Sequence, residues 1–319
     1  MIGYLTRKKV RVVAGAPVCA LEHLAGALAE WEAACSRARV GVCYFGAEAR
    51  IRTLLADMPG YSVVSLGAQP NWDPQCWASI FDGDKSLRAQ RSRAANKGIR
   101  VTEWADTSHS SDLGLRYCLQ AWLLTRGLPP MHFLVEPQTL DHKEDRRVFV
   151  AEKAGAVVGF LVLSPIPQRQ GWLTEQFPRG VHAPNGTVEI LMDTAIRAVA
   201  ASGAEYVTMG IVPLSLHALP NLGSNPNWLE ILAKWVRAHG RRFYNFDGLD
   251  RFKSKFHPQE WEPIVVISKE PQFSVKTLLA IAAAFSDGSP TWAMSRAILK
   301  AARQELRWAI RSTNGGQQN

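Results

Sequence analysis

The chain has 319 residues, 47% of them hydrophobic and 20% charged, with a mean hydropathy of −0.09; this excludes a disordered chain and fits one large domain or two ordinary ones. Apolar runs such as Val12–Leu21 and Leu278–Phe285 hold ten and eight residues, against the roughly 20 that a bilayer-crossing helix needs. The net charge of +9 sits at the two ends, +4 over residues 1–110, zero over 111–240 and +5 over 241–319, so two basic surfaces and a polyanionic partner are expected. Five cysteines without a Cys-x-x-Cys argue for a reducing compartment and against a disulfide framework, and eight histidines without a His-x-x-x-His give no support to a metal site.

In chain order, Val10–Ala14 predicts a strand and Gly15-Ala16-Pro17 a turn. The cations Arg7, Lys8, Lys9 and Arg11 ahead of Val12–Leu21 imitate a secretion signal, but Gly15, Ala16 and Pro17 interrupt the run and Glu22-His23 ends it. Leu21–Cys35 carries Leu21, Leu24, Leu28 and Trp31 at helical spacing. Val40–Phe45 then reads as a strand, Ala47–Ala56 as a helix and Tyr61–Leu66 as a strand. The polar helix Lys85–Lys97 is closed by Gly98 and followed by the strand Ile99–Trp104.

A second pass begins with a helix at Leu113–Arg126, ended by Gly127 and Pro129-Pro130. Arg147–Lys153, Val157–Ser164 and Gly171–Gln176 are short strands suited to an antiparallel meander. Val188–Ala201 is a helix, Glu205–Ile211 a strand, Trp228–His239 a helix and Trp261–Ser268 extended. Strand pairs, then helix, then strand is the order of an N-acetyltransferase-like fold. The expected class is therefore α/β (α+β): tandem N-acetyltransferase-like halves over 1–110 and 111–271, with mixed, mostly antiparallel sheets. Residues 272–319 form a tail with two amphipathic helical patterns, Phe273–Phe285 and Trp292–Arg311. In the second, Arg296, Lys300, Arg303, Arg307 and Arg311 line one stripe beside Leu299, Ala302, Leu306, Ala309 and Ile310. That profile suits a helix at a membrane interface and equally one packed on its own core.

Three stretches carry candidate chemistry. In Ala183-Pro184-Asn185-Gly186-Thr187-Val188-Glu189, Asn185 or Thr187 can cap the following helix, along which Glu189, Asp193 and Arg197 recur every four residues. Two carboxylates and a guanidinium in line can hold a cationic group or deprotonate a nucleophile, or form an ordinary solvated stripe. In Phe252-Lys253-Ser254-Lys255-Phe256, alternation on an extended backbone would put both ammonium groups on one face, toward a phosphodiester or an oxyanion. A solvated edge strand is the plainer alternative. Lys85–Arg100 holds six cations, Arg88, Arg91 and Arg93 among them, and no acid, a density suited to phosphate. The loop Arg179–Pro184 lacks the Gly-rich pattern of a coenzyme A pyrophosphate site, and Pro184 has no backbone donor.

Together these stretches resemble the bacterial phosphatidylglycerol lysyltransferases, also called aminoacyl-phosphatidylglycerol synthases or multiple peptide resistance factors. Asp84–Val101 resembles the segment joining their two halves, and Ala183–Glu189 their Ala-Pro-Asn-Gly-Thr-x-Glu motif. Tyr244–Pro263 resembles their Asn-Phe-x-Gly-Leu-x-x-Phe-Lys-x-Lys-Phe-x-Pro…Trp-Glu-Pro signature. Gly15-Ala16-Pro17 stands where the family often has Gly-Asp-Pro. The resemblance implies transfer of an amino acid from an aminoacyl-tRNA to a hydroxyl of a membrane lipid, with the tRNA as co-substrate and no other cofactor or metal. By the same carry-over Glu189, Asp193, Lys253 and Lys255 would be catalytic, and Asn185, Thr187, Arg197, Asn245, Arg251, Arg88, Arg91 and Arg93 substrate-binding. The expected location is the inner face of the membrane, reached from the cytoplasm, with 272–319 as the contact. A coenzyme A-dependent N-acyltransferase and an inert membrane- or RNA-binding protein on the same fold are the alternatives.

Overall fold

The chain opens with a hairpin of Tyr4–Arg7 (β1) and Val10–Ala14 (β2), turned at Lys8 and Lys9. The sequence pattern had predicted only the second strand, because four residues of mixed polarity give no clear period. A crossover helix, Leu24–Arg37 (α1), leads to Gly41–Phe45 (β3), parallel to β2. Ala49–Leu55 (α2), Ser62–Trp72 (β4), Trp77–Gly83 (α3), Lys85–Asn96 (α4) and Ile99–Glu103 (β5) follow. His109–Leu124 (α5) precedes Arg147–Lys153 (β6), Ala156–Ile166 (β7) and Gly171–Thr174 (β8). Thr187–Ala201 (α6) then crosses to Tyr206–Thr208 (β9), parallel to β8. Val212–Pro213 (β10), Asn227–His239 (α7), Phe246–Ser254 (α8), Glu260–Ser268 (β11) and Val275–Phe285 (α9) complete the order. This computed structural model describes residues 1–47, 49–55, 58–104, 109–125, 133, 139–141, 145–215, 217, 225–239 and 245–285.

All eleven strands join one sheet, ordered β1-β2-β3-β11-β4-β9-β8-β7-β6-β5, with β10 on β4. Only β2/β3 and β8/β9 run parallel; the other named pairs are antiparallel. A parallel pair needs a crossover, and α1 and α6 supply them. Each half thus holds one β-α-β unit among antiparallel strands, the tandem N-acetyltransferase-like plan. The expected division at residue 110 divides the chain and not the sheet. β11, from late in the sequence, lies between β3 and β4, while β5 extends the far edge beside β6.

Helices cover both faces. In the first half α1 and α2 bury Leu24, Leu28, Ile51 and Leu55 against Val13, Val42 and Tyr44, while α9 brings Ala280, Ile281 and Ala284 to Val10, Val12 and Cys43. In the second, α3, α4 and α6 share one core around Trp77, Phe81, Leu87, Leu191 and Ile196, and α5 packs Leu115 and Leu119 on the opposite face.

The tail expectation changes accordingly. The first tail helix, α9, turns its apolar side to the sheet, and Phe285 meets Phe45 and Phe133 edge-on at 5.0 and 5.4 Å. That side is therefore not free for a lipid surface; the second pattern, Trp292–Arg311, lies outside the described residues. Because Ile281 is 4% exposed, Ile281→Ala should cost about 2–4 kcal/mol in urea unfolding, as a core truncation does. A cost near zero would mean that α9 is only loosely attached.

Candidate active site at the ends of two helices

The start of α6 is set by Gly186, not by a side-chain cap. Gly186 adopts φ 97°, and a Cβ there would lie 2.2 Å from the carbonyl oxygen of Gln90 on α4. Only glycine permits this approach and this φ together. The expected caps do something else: Asn185 is exposed, and the buried Thr187 hydroxyl donates back to the Pro184 carbonyl at 2.7 Å. The helix that carries the cations therefore lies directly across the beginning of the helix that carries the carboxylates.

Glu189 and Asp193, one turn apart, have different surroundings. Asp193 is 4% exposed and accepts from the Trp77 indole at 3.1 Å, from Arg91 at 2.7 Å and from Arg197 at 2.7 Å. Asp82 closes a ring by pairing with Arg197 at 2.7 Å and Arg91 at 3.1 Å. The Arg197 hydrogen bond holds the Asp82 carboxyl below the usual carboxylate range. Asp193, Arg91 and Arg197, expected to act on substrate, thus tie α3, α4 and α6 to one another. Arg88 donates to the Asp82 carbonyl, and Arg93 to Gln90 at 3.1 Å; both are exposed.

The Lys253–Lys255 stretch is not extended. Asn245 caps a helix there, accepting from the Gly248 amide at 2.9 Å, with Asp247 in the first turn and Arg251 and Lys253 in the last. These are the ordinary signals of a helix start and stop. The alternation of Phe and Lys masks them in the sequence. Two residues on a helix point about 200° apart, so the lysines separate. Lys253 is 4% exposed and donates to the carbonyls of Met209, Gly210 and Ile211 at 2.6, 2.9 and 3.1 Å. Burial pulls its pKa down to about 7, opposed by the nearby Asp250 carboxylate. The expectation that both lysines face one anion is corrected: Lys253 holds the chain after β9. Asn245 is likewise spent on its cap, and Arg251 donates to the Asp247 carbonyl at 3.2 Å.

Lys255 is the exception. It is the C-cap of α8, and its Nζ lies 2.6 Å from Glu189 Oε1, across 66 residues of chain. The ammonium also stands over the rings of Phe252 and Phe256, at 4.4 and 4.8 Å, and Phe177 flanks Phe252 at 5.8 Å. Glu189 sits in the first turn of its helix and Lys255 at the end of its own, where each helix dipole favours the charge present. The lysine side chain keeps a third of its surface exposed and the carboxylate about a tenth, so the pair is reachable from one side.

Next to it, His257 meets Asp84 at 2.7 Å. That contact and the Leu87 amide hold the Asp84 carboxyl below its ordinary range. Composition offers no sign of Trp77 or the Phe252–Phe256 cradle, and the signal that could have found Asp84 is its position directly before a basic helix, where an aspartate caps. Two cavities, of about 510 and 320 Å³, lie away from the pair. Among the described residues no three His, Cys, Asp or Glu side chains gather into a metal-sized group, and no helix is long and apolar enough to cross a membrane.

The structure thus presents one continuous sheet with the part-exposed Glu189–Lys255 pair over its second half. Residues 1–267 match the family described as phosphatidylglycerol lysyltransferase, C-terminal, and the chain belongs to this family of transferases. No curated protein matches the sequence. Among solved structures, the C-terminal domain assigned to a lysylphosphatidylglycerol synthetase of Agrobacterium fabrum is 21% identical with a TM-score of 0.73, over 90% of this chain and 86% of that one. A structure of L-PGS from Bacillus licheniformis is 20% identical with a TM-score of 0.72, over 89% and 84%. FemX is 8% identical with a TM-score of 0.55, over 89% and 86%. At these identities the likenesses concern the fold.

Two outcomes check the geometry. Gly186→Ala should destabilise the chain by about 2–4 kcal/mol in denaturant, through clash and positive φ combined. Lys253, with a folded pKa below its unfolded value near 10.5, leaves the unfolded chain binding more protons above about pH 7. Stability should therefore rise with pH between about 7 and 9, by up to about 1.4 kcal/mol per unit, relative to Lys253→Met. A parallel pair of profiles would show that Lys253 is not desolvated.

Proposed function

We propose that the chain transfers an amino acid from an aminoacyl-tRNA to a hydroxyl of a membrane lipid such as phosphatidylglycerol. The observation that carries this reading is the exposed-side Glu189–Lys255 pair, in a chain of the phosphatidylglycerol lysyltransferase family. An aminoacyl ester is already activated, so proximity, a base and a cation suffice. The lipid hydroxyl attacks the ester carbonyl while Glu189 takes its proton. Lys255 stabilises the oxyanion, and the ribose oxygen leaves with the proton returned by Glu189. One ester bond breaks and one forms, with aminoacyl-tRNA as co-substrate and no further cofactor.

The outward face of α4 supports the tRNA assignment: Lys85, Arg88, Arg93 and Lys97 are exposed, with Arg100 on β5 beyond them. These cations suit backbone phosphates and carry no base specificity. The coenzyme A alternative loses ground because α4 lies against Gly186, where a pyrophosphate would approach the start of α6. An inert binding protein is disfavoured by membership of a family of transferases. We place the chain in the cytoplasm, peripherally on the inner membrane face.

Lipid mass spectrometry of a reconstituted reaction tests the reading. Glu189→Gln and Lys255→Ala should each lower aminoacyl-lipid formation by roughly 100-fold with circular dichroism unchanged. Arg88→Ala combined with Arg93→Ala should instead weaken tRNA binding and flatten its salt dependence. Full activity in both Glu189 and Lys255 variants would remove the proposed site.

A further inference from the structure

The edge of the sheet at β1, with α1 alongside it, has a surface that the transfer chemistry does not use. At one end Val18 and Leu21 are 64% and 68% exposed, and the main chain of Val18 is tied to Met1 by hydrogen bonds of 2.8 and 3.1 Å. In the middle Tyr4 packs on Trp31 with ring centroids 4.6 Å apart, and the Arg11 guanidinium stands over both rings at 5.2 and 4.8 Å. The outer side of α1 offers Ala25, Gly26, Ala29 and Ala33, all exposed, and a groove of about 320 Å³ runs beside it past Pro17, Ala27 and Trp31.

The other end is cationic. Lys8 and Lys9 form the β1–β2 turn, and Arg37 and Arg39 the turn from α1 to β3, all four exposed. The two turns are joined by the hydrogen bond from the Gly41 amide to the Lys9 carbonyl at 2.9 Å. Lys8, Lys9 and Arg39 have φ of 50°, 59° and 53°, positions where asparagine or glycine is the unstrained choice. The backbone therefore does not explain why each is a cation. Residues 1–47 hold six cations and three acids, one of which, Glu32, is buried on Tyr44, Tyr61 and Lys269. Glu22 and Glu30 are the two exposed acids.

We propose that this edge is a docking surface for an anionic lipid leaflet. The assignment rests on the reading above, in which the acceptor is a membrane lipid, and it names the surface that meets the membrane. Val18 and Leu21 are aliphatic tips able to enter the headgroup boundary, Tyr4 and Trp31 are amphipathic rings suited to that depth, and the cations face the phosphates. Ala25, Gly26, Ala29 and Ala33 add no charge to the outer side of α1, and the exposed acids Glu22 and Glu30 are outnumbered by the four cations. α9 turns Ala280, Ile281 and Ala284 to the sheet, so that side of the tail is not available to a lipid surface, whereas this edge leaves Val18, Leu21 and four cations exposed.

Co-sedimentation of the full chain with vesicles of phosphatidylglycerol and phosphatidylcholine, against phosphatidylcholine alone, tests this. Two variants are compared: Val18→Asp with Leu21→Asp, and Lys8→Gln, Lys9→Gln, Arg37→Gln and Arg39→Gln together. Each cation at such a surface is worth roughly fivefold in partitioning, so the second should bind anionic vesicles at least tenfold more weakly, and the first likewise. Both should keep wild-type transfer to a short-chain acceptor dissolved as monomers. Wild-type vesicle binding in both variants would overturn the proposal, and a surface that docks another protein would give that result. Absence of lipid transfer by the wild-type chain would instead count against the proposed reaction, leaving the vesicle comparison to decide the surface.

Discussion

Asp193 is a carboxylate buried to 4%, and burying such a charge is tolerable only when its oxygens are fully partnered. Its three donors come from three elements: Trp77 on α3, Arg91 on α4 and Arg197 on α6 itself. The requirement to satisfy one group therefore fixes how three helices lie together. Removing it would leave the buried Trp77 indole without an acceptor and the part-exposed Arg91 and Arg197 paired only with Asp82, a larger penalty than the loss of any single exposed ion pair. Asp82 extends the arrangement to the surface, where solvent screens it and its contribution is small.

That clamp sets the position of Glu189. With α4 drawn onto α6, Gly186 must accept the Gln90 carbonyl at a distance no side chain allows, so α6 begins at one defined residue. Glu189 then falls in the first turn. The matching constraint on the other partner is the buried ammonium of Lys253, which gathers three successive carbonyls after β9 and pins the last turn of α8. Lys255 follows at the cap. The Trp72 indole, donating to the Phe256 carbonyl at 2.9 Å, fixes the chain immediately beyond. Two helix ends, each held by a buried and fully partnered polar group, deliver one acid and one lysine to the same point.

The periodic elements were legible because burial on one face imposes a period. The α6 pattern has it; Val10–Ala14 and Arg147–Lys153, buried on both faces, were legible instead as short apolar runs rich in valine, and the bounds of all three agree closely with the sequence. The alternation around Lys253 misled for the same reason: Phe252 and Phe256 are both turned inward, which a helix allows at a spacing of four as readily as a strand does at even spacings. The capping residues Asn245 and Gly248 settle the ambiguity. Asp193 could not be separated from Glu189 by spacing, because the difference lies in Trp77 and Arg91, more than a hundred residues away. Strand exchange was hidden too: nothing local in Glu260–Ser268 says that it belongs between β3 and β4.

The conspicuous charges in the motifs thus divide by depth. Those with complete sets of partners, Asp193 and Lys253, have no capacity left for a ligand and act on the positions of helices. Glu189 and Lys255 have one strong contact, with each other, and an open side. A pair of that kind needs no large rearrangement to receive an anion at the lysine and a proton at the carboxylate, because an incoming oxygen can replace the mutual hydrogen bond on either partner. The geometry also explains why the two lysines, two positions apart in sequence and alike in chemistry, are not interchangeable. Lys253 lies where burial disfavours its charge and three carbonyls receive its hydrogens; Lys255 lies at a helix end, over two aromatic rings, with part of its surface exposed.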